Sequence, residues 1–196
     1  SLDFCIKNTM KLSCGTLSFV FSIIIASIIV SSCSNRFRLK ATMKEFVKEE
    51  IIIPDKLYVV ENGNYCKANF QNLNDCRLII YIDSLSCNTC RITHLLEMLP
   101  LYEFSEEDGR FSILPIFSPK TDDLQDIERQ LLLLDFPYPI YVDVIGQFAL
   151  KNNIPVDNRF HNFLIDEVGK VRFVGNPIDN EQLRSIFINT INNINN

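Results

Sequence analysis

Leu78-Ile79-Ile80-Tyr81-Ile82-Asp83-Ser84-Leu85-Ser86-Cys87-Asn88-Thr89-Cys90 is the stretch that decides how this chain reads. Five apolar side chains in a row give way to polar residues, and two cysteines follow, spaced by two residues. A short continuous apolar run bounded by polar residues predicts a buried strand over Arg77–Asp83. From Cys90 to Phe104 the spacing turns helical, with Pro100 expected to kink or end the helix. The cysteine pair therefore falls at a strand-to-helix junction. Free N–H groups and the macrodipole at a helix N-terminus favour an anion, which biases a cysteine there towards thiolate. The second cysteine lies one turn on, within reach to close a disulfide.

Elements alternate on either side of this stretch. Lys56–Val60 and Tyr65–Phe70 read as short strands joined at Asn62-Gly63-Asn64, a hairpin turn signal. Phe111–Phe117 reads as a strand. Asp122–Leu134 reads as an amphipathic helix, with Leu124, Ile127, Leu131 and Leu134 at helical spacing. Pro139–Asp143 is a strand and Ile145–Asn152 a short helix. Phe160–Ile165 and Lys170–Val174 form a hairpin around Asp166-Glu167-Val168-Gly169. Asn180–Ile194 closes the chain as a helix whose apolar face is Leu183, Ile186, Phe187, Ile188 and Ile191. Strands alternating with helices predict an α/β sheet.

The N-terminus carries a second signal. Lys7 and Lys11 precede an apolar run from Leu17 to Val30. The run is short for a membrane-spanning helix and of the right length for the core of a signal peptide. It ends in Val30-Ser31-Ser32-Cys33, which resembles the lipobox of bacterial lipoproteins. That resemblance implies lipid on the Cys33 thiol and cleavage before it, so residues 1–32 are expected to be the signal peptide. Residues 33–45 are expected to be a lipid-anchored tether and 46–196 the folded domain. Ser34, not aspartate, follows Cys33, which in lipoprotein sorting favours the outer membrane. The location expected is extracytoplasmic, with the membrane reached through the anchor. An uncleaved N-terminal membrane anchor is the other reading of the same run.

Bulk properties agree. The chain has 196 residues and a net charge of −5. A domain of about 150 residues buries a substantial core without metal or disulfide support. Charges of both signs are mixed along the chain and no basic patch interleaved with aromatics occurs, which argues against nucleic acid as a partner. Arg36, Arg38, Lys40, Lys44 and Lys48 read as a solvated tether near a membrane. Of the seven cysteines, Cys66, Cys76, Cys87 and Cys90 fall in the domain. An extracytoplasmic setting permits disulfides. Cys66 and Cys76 are either two small buried hydrophobes or a disulfide, if their geometry allows one.

The order of elements resembles the thioredoxin fold, in the variety found in membrane-tethered thiol–disulfide proteins of the TlpA and ResA type. The residues that carry this are the opening stretch, Phe136-Pro137-Tyr138-Pro139-Ile140-Tyr141-Val142-Asp143, and Phe163-Leu164-Ile165-Asp166-Glu167-Val168-Gly169-Lys170-Val171. The resemblance runs from about residue 56 to the C-terminus. It implies a three-layer α/β/α sandwich with a mixed central sheet. It also implies a thiol–disulfide oxidoreductase with Cys87 as attacking thiol and Cys90 as resolving thiol. Its partners would be protein thiols or disulfides and a membrane electron donor or acceptor; no cofactor is implied. Two positions depart from the family. Ser86 stands where Trp usually precedes the first cysteine. Phe160 stands at the place of a cis-proline, six residues before Asp166. A non-proline cis bond costs about 2.5–4 kcal/mol, so Phe160 is expected trans.

Phe160 and His161 lie in the loop expected to face the cysteine pair. Asp83, four residues before Cys87, is a candidate proton acceptor for Cys90. Two thiolates and an imidazole make a soft site, so Cys87, Cys90 and His161 form an alternative copper or zinc site, similar to the copper-carrying branch of thioredoxin-like proteins. Against it stands a packed loop histidine. A redox-inert interaction domain is the third reading.

Overall fold

The computed structural model describes residues 36–61, 64–70, 73–83, 95–120, 124–134 and 136–194, with only the backbone of Leu124 and Ile127. The chain divides into two compact units, Ser1–Thr42 and Met43–Asn196. What is described of the first is helical and belongs to the run 36–46, named α1. The expected tether thus carries regular helix.

The larger unit is built on one seven-stranded sheet. In chain order its elements are β1 (Tyr58–Glu61), β2 (Asn64–Lys67), β3 (Cys76–Ile82), α2 (Leu99–Asp108), β4 (Phe111–Phe117), α3 (Leu124–Leu133), β5 (Ile140–Val142), α4 (Gln147–Asn152), β6 (Asn162–Ile165), β7 (Val171–Val174) and α5 (Glu181–Ile194). The strand order is β2-β1-β5-β4-β3-β6-β7. β3, β4 and β5 are parallel, while β6 runs antiparallel to β3 and pairs with β7 as a hairpin. Three parallel strands in the middle of the sheet with an antiparallel hairpin on their flank form the mixed central sheet expected from the sequence.

Period-two alternation sends side chains to opposite faces of the sheet. Leu78, Ile80 and Ile82 of β3 share one apolar cluster with Leu101 and Tyr102 of α2, Leu131 of α3, and Phe187 and Ile191 of α5. On the other face Tyr81 meets Phe148 of α4, and Phe163 meets Phe46, the last residue of α1. Helical elements cover both faces, which is the three-layer sandwich.

Three local expectations change. The helix predicted from Cys90 to Phe104 does not run through: residues 95–97 are helical, the chain turns at Met98, and α2 starts afresh with Pro100 in its first turn. Proline lacks the N–H that this position leaves unpaired anyway, so it starts a helix here instead of kinking one. Ile186 of α5 is 46% exposed, so the buried face of that helix is narrower than its apolar residues suggest. Cys66 and Cys76 are both free, the first exposed and the second buried. They lie on β2 and β3, four strand spacings or about 19 Å apart, while a disulfide needs Cα atoms within about 7 Å. The two therefore do not pair.

The β6–β7 hairpin follows from its sequence. The Asp166 carboxylate accepts from the N–H groups of Val168 (3.1 Å) and Lys170 (2.9 Å) and from Nε of Arg172 (2.6 Å). Gly169 takes φ +85°, a conformation that a β-carbon disfavours. Its carbonyl accepts from the Ile51 N–H at 2.8 Å, and the Val171 N–H reaches the Glu49 carbonyl at 3.4 Å. Residues 49–51 thereby cover the free edge of β7, which would otherwise offer unpaired groups for aggregation.

Candidate functional site

Three parallel strands end on one edge of the sheet, and each ends in a polar residue: Asp83 after β3, Ser118 after β4 and Asp143 after β5. The strands are stitched together there. The Ser118 N–H donates to the Ile82 carbonyl (2.8 Å) and the Asp143 N–H to the Phe117 carbonyl (2.6 Å). β6 runs the other way, so its first residues meet the same edge. The Tyr81 N–H donates to the His161 carbonyl at 2.7 Å. The carboxyl edge of the parallel strands is where open α/β sheets place their ligands. The chain runs from Asp83 on this edge towards Cys87, four residues on. Residues 84–94, with Cys87, Cys90 and His94, lie outside the described residues, as does Cys33.

Behind the edge is a buried polar chain. Asp143 is 0% exposed. One of its oxygens accepts from the Phe148 N–H (2.7 Å) and from the Ser118 hydroxyl (3.2 Å). The Phe148 bond holds the first turn of α4. The second oxygen is buried with no hydrogen-bond partner. Tyr81 hydrogen-bonds Ser118, and burial raises its phenol above the ordinary value, helped by the negative charges of Asp83 and Asp143. Tyr81 therefore stays protonated and donates. Asp83 itself is half-buried at the end of β3.

The loop before β6 is built to hold its shape. Asp157 caps a short 3-10 turn, Asn158–Phe160, accepting from the Arg159 N–H and from Arg159 Nε at 2.9 Å. The Arg159 guanidinium holds the Asp157 carboxyl below the usual carboxylate range. Phe160 is buried and meets Phe46 edge to face at 5.9 Å. No cis peptide bond occurs among the described residues, so Phe160 is trans. His161 is 2% exposed. Its ring stands edge-on to Tyr81 at 5.1 Å, and Nε2 lies 2.9 Å from the Pro155 carbonyl. A carbonyl only accepts, so Nε2 carries the proton, and of the two ring nitrogens Nδ1 is the one with a lone pair for a metal. Among the described residues no group of three or more His, Cys, Asp or Glu side chains could hold a metal ion.

The structure thus brings Asp83 and His161 to one edge and buries the side chains of Phe160 and His161. What this loop turns outward includes Val156, Asn158 and Arg159. The sequence reading missed Ser118 and Asp143. Their signal was there: each closes an apolar strand with one polar residue. Beside this edge a cavity of about 620 Å³ is lined by Ile80, Ile82, Leu95, Met98, Arg159 and Leu183, among others.

No protein-family model and no curated protein matches the chain. Among solved structures it is similar to a candidate thiol:disulfide interchange protein DsbE from Chlorobium tepidum, at 16% identity and TM-score 0.47, over 74% of this chain and 98% of that one. It is similar to AhpC from Enterococcus faecalis at 12% identity and TM-score 0.48, over 73% and 92%. It is also similar to an uncharacterized thioredoxin-like protein from Porphyromonas gingivalis at 13% identity and TM-score 0.44, over 76% and 95%. Identities of this size bear on fold alone.

Proposed function

We propose that this protein is an extracytoplasmic thiol–disulfide oxidoreductase, lipid-anchored at Cys33 to a bacterial membrane, with the outer membrane favoured. One observation carries the redox reading. The Cys87–Cys90 pair follows directly on β3, the strand whose parallel neighbours end together at a polar edge.

The reaction starts with a Cys87 thiolate attacking one sulfur of a partner disulfide. That S–S bond breaks, and the leaving sulfur takes up a proton. Cys90 then attacks the Cys87 sulfur of the mixed disulfide, freeing the partner's second thiol and closing Cys87–Cys90. The partner gains two electrons and the protein loses two. A membrane electron donor must return them before another cycle; run backwards, the pair donates a disulfide and needs an acceptor. In this reading Asp83, at the end of β3, takes the Cys90 proton. The competing use of the same residues is a copper or zinc site at Cys87, Cys90 and His161. Metal-ligating histidines commonly donate their other ring N–H to a carbonyl, so the Pro155 bond to His161 is compatible with it.

The deciding experiment is a redox titration of Cys87–Cys90 on the full chain in metal-free buffer. A reversible two-electron transition is expected. A potential of roughly −270 mV or below marks a reductant, and one near about −120 mV an oxidant. No reversible disulfide at any poise would sink the redox reading and make copper or zinc titration the next test.

A further inference from the structure

The basic N-terminal segment is a helix, and three of its four cations fall on one side of it, with Arg38 on the other. At 100° per residue, Arg36, Lys40 and Lys44 stand one above another at four-residue spacing, with Phe37 beside them. Phe37 is 77% exposed. A large aromatic held out in water among cations is an unusual surface; anionic headgroups take the cations, and the headgroup–acyl boundary takes the ring. α1 holds four cations and one acid, a net +3, whereas the rest of the chain carries −8. The acid, Glu45, is engaged by Lys48 at 2.9 Å and does not neutralise the stripe. Among the described residues no carboxylate forms an ion pair with Arg36, Lys40 or Lys44. Like charges four apart on a helix repel, and an anionic surface relieves that repulsion.

We infer that α1 docks on the membrane itself, with Arg36, Lys40 and Lys44 on anionic lipid headgroups and Phe37 inserted between them. The inference extends the anchoring proposed at Cys33. Arg36 stands three residues after Cys33, and three residues span at most about 11 Å. A lipid on that thiol therefore holds the first turn of α1 at the headgroup layer. The acidic remainder of the chain is repelled by the same surface.

The chain contains no Trp, so F37W on the full chain gives an unambiguous fluorescent reporter. The protein is reconstituted into vesicles of phosphatidylcholine alone or mixed with phosphatidylglycerol. In the anionic vesicles the indole emission is expected to move to shorter wavelength and to be quenched by brominated lipid. Both effects are lost at high salt, because exposed charges are screened. In phosphatidylcholine alone the emission stays close to that in water. Adding R36E, K40E and K44E together abolishes the shift while helical circular dichroism is kept. Equal emission in both vesicle types overturns the inference. So does a shift that survives charge reversal, or one that RNA reproduces without vesicles. Mass spectrometry of the Cys33 peptide reads the anchor separately: an unmodified thiol with the shift intact refutes the anchoring and leaves the docking of α1 standing.

Discussion

Gly169→Ala tests whether residues 49–51 hold the edge of the sheet as tightly as the geometry implies. A β-carbon on Gly169 would lie 2.5 Å from the Ile51 carbonyl oxygen, a backbone atom with no soft rotamer to yield. To reach ordinary contact near 3.4 Å the two segments must separate by roughly 0.9 Å, which breaks the 2.8 Å bond from the Ile51 N–H to the Gly169 carbonyl. One backbone hydrogen bond contributes about 0.5–1.5 kcal/mol. The φ of +85° adds the cost of holding an L-residue in the left-handed region, about 1–2 kcal/mol. The sum is roughly 1.5–3.5 kcal/mol, a fall in Tm on the order of 3–14 °C for a domain of this size. Gly109→Ala is the internal control. Gly109 has a similar φ of +68°, but a β-carbon there meets nothing within 4 Å. It should cost the backbone component only. Calorimetry on both variants, with hydrogen exchange at the Ile51 amide, separates the two contributions. Equal Tm losses for the two variants, or an Ile51 amide as protected in G169A as in the parent, would refute the reasoning.

Asp143→Ala removes the acceptor for the Phe148 N–H and the Ser118 hydroxyl and leaves both buried. A loss of about 2–4 kcal/mol is expected, seen as a lower urea midpoint with unchanged slope. Of the two thiols on β2 and β3, the buried Cys76 is the inert one and the exposed Cys66 the accessible one. Burial first, and the Asp166 charge next, push the Cys76 thiol up to about 11, so alkylation of the native protein at pH 8 should mark Cys66 and spare Cys76. Because the folded value is raised, the contribution of Cys76 to stability is intact below the ordinary thiol value of 9.0 and is lost as pH rises through about 11. Urea midpoints across that window check the sign. Cys90→Ala should accumulate mixed disulfides through Cys87 on non-reducing gels, and adding Cys87→Ala should abolish them. Trapping without Cys87 would overturn the assigned roles.

The sheet was legible because its central strands are buried on both faces and announce themselves as apolar runs. Phe111–Phe117 runs between the same bounds in sequence and structure, and β3 differs by one residue at each end. The hairpin was legible for another reason: an aspartate, a glycine three residues on and a lysine after it specify a turn by local hydrogen bonding. What did not show were features settled by distant partners. Residues 49–51 become an edge cover only because Gly169 leaves room for them, 118 residues away from Ile51 in the chain. The pairing of Cys66 with Cys76 seemed open at ten residues apart in sequence, and the strand order closes it. Ile186 has the right spacing for the buried face of α5, but spacing does not tell how wide a face the sheet covers.

The site divides along the same line. Asp83 could be placed from sequence because it directly ends β3. His161 could be placed on the right loop, but not given its bond: the Pro155 carbonyl that holds Nε2 is six residues away around an irregular turn, with no periodicity to read. That bond changes what the residue does. An imidazole committed to a backbone carbonyl and wedged against Tyr81 fixes the shape of the loop, and the loop in turn fixes the end of β3 through the Tyr81–His161 backbone bond. The thioredoxin resemblance leads to the expectation of a cis-proline in this loop. Here the capped 3-10 turn at Asp157–Phe160 and the buried His161 stand in its place. The capped turn and the buried imidazole thus hold a rigid loop against β3 with no cis peptide bond among the described residues. On that argument His161→Gln, whose side-chain amide can still donate to the Pro155 carbonyl, keeps the loop, whereas His161→Ala frees it.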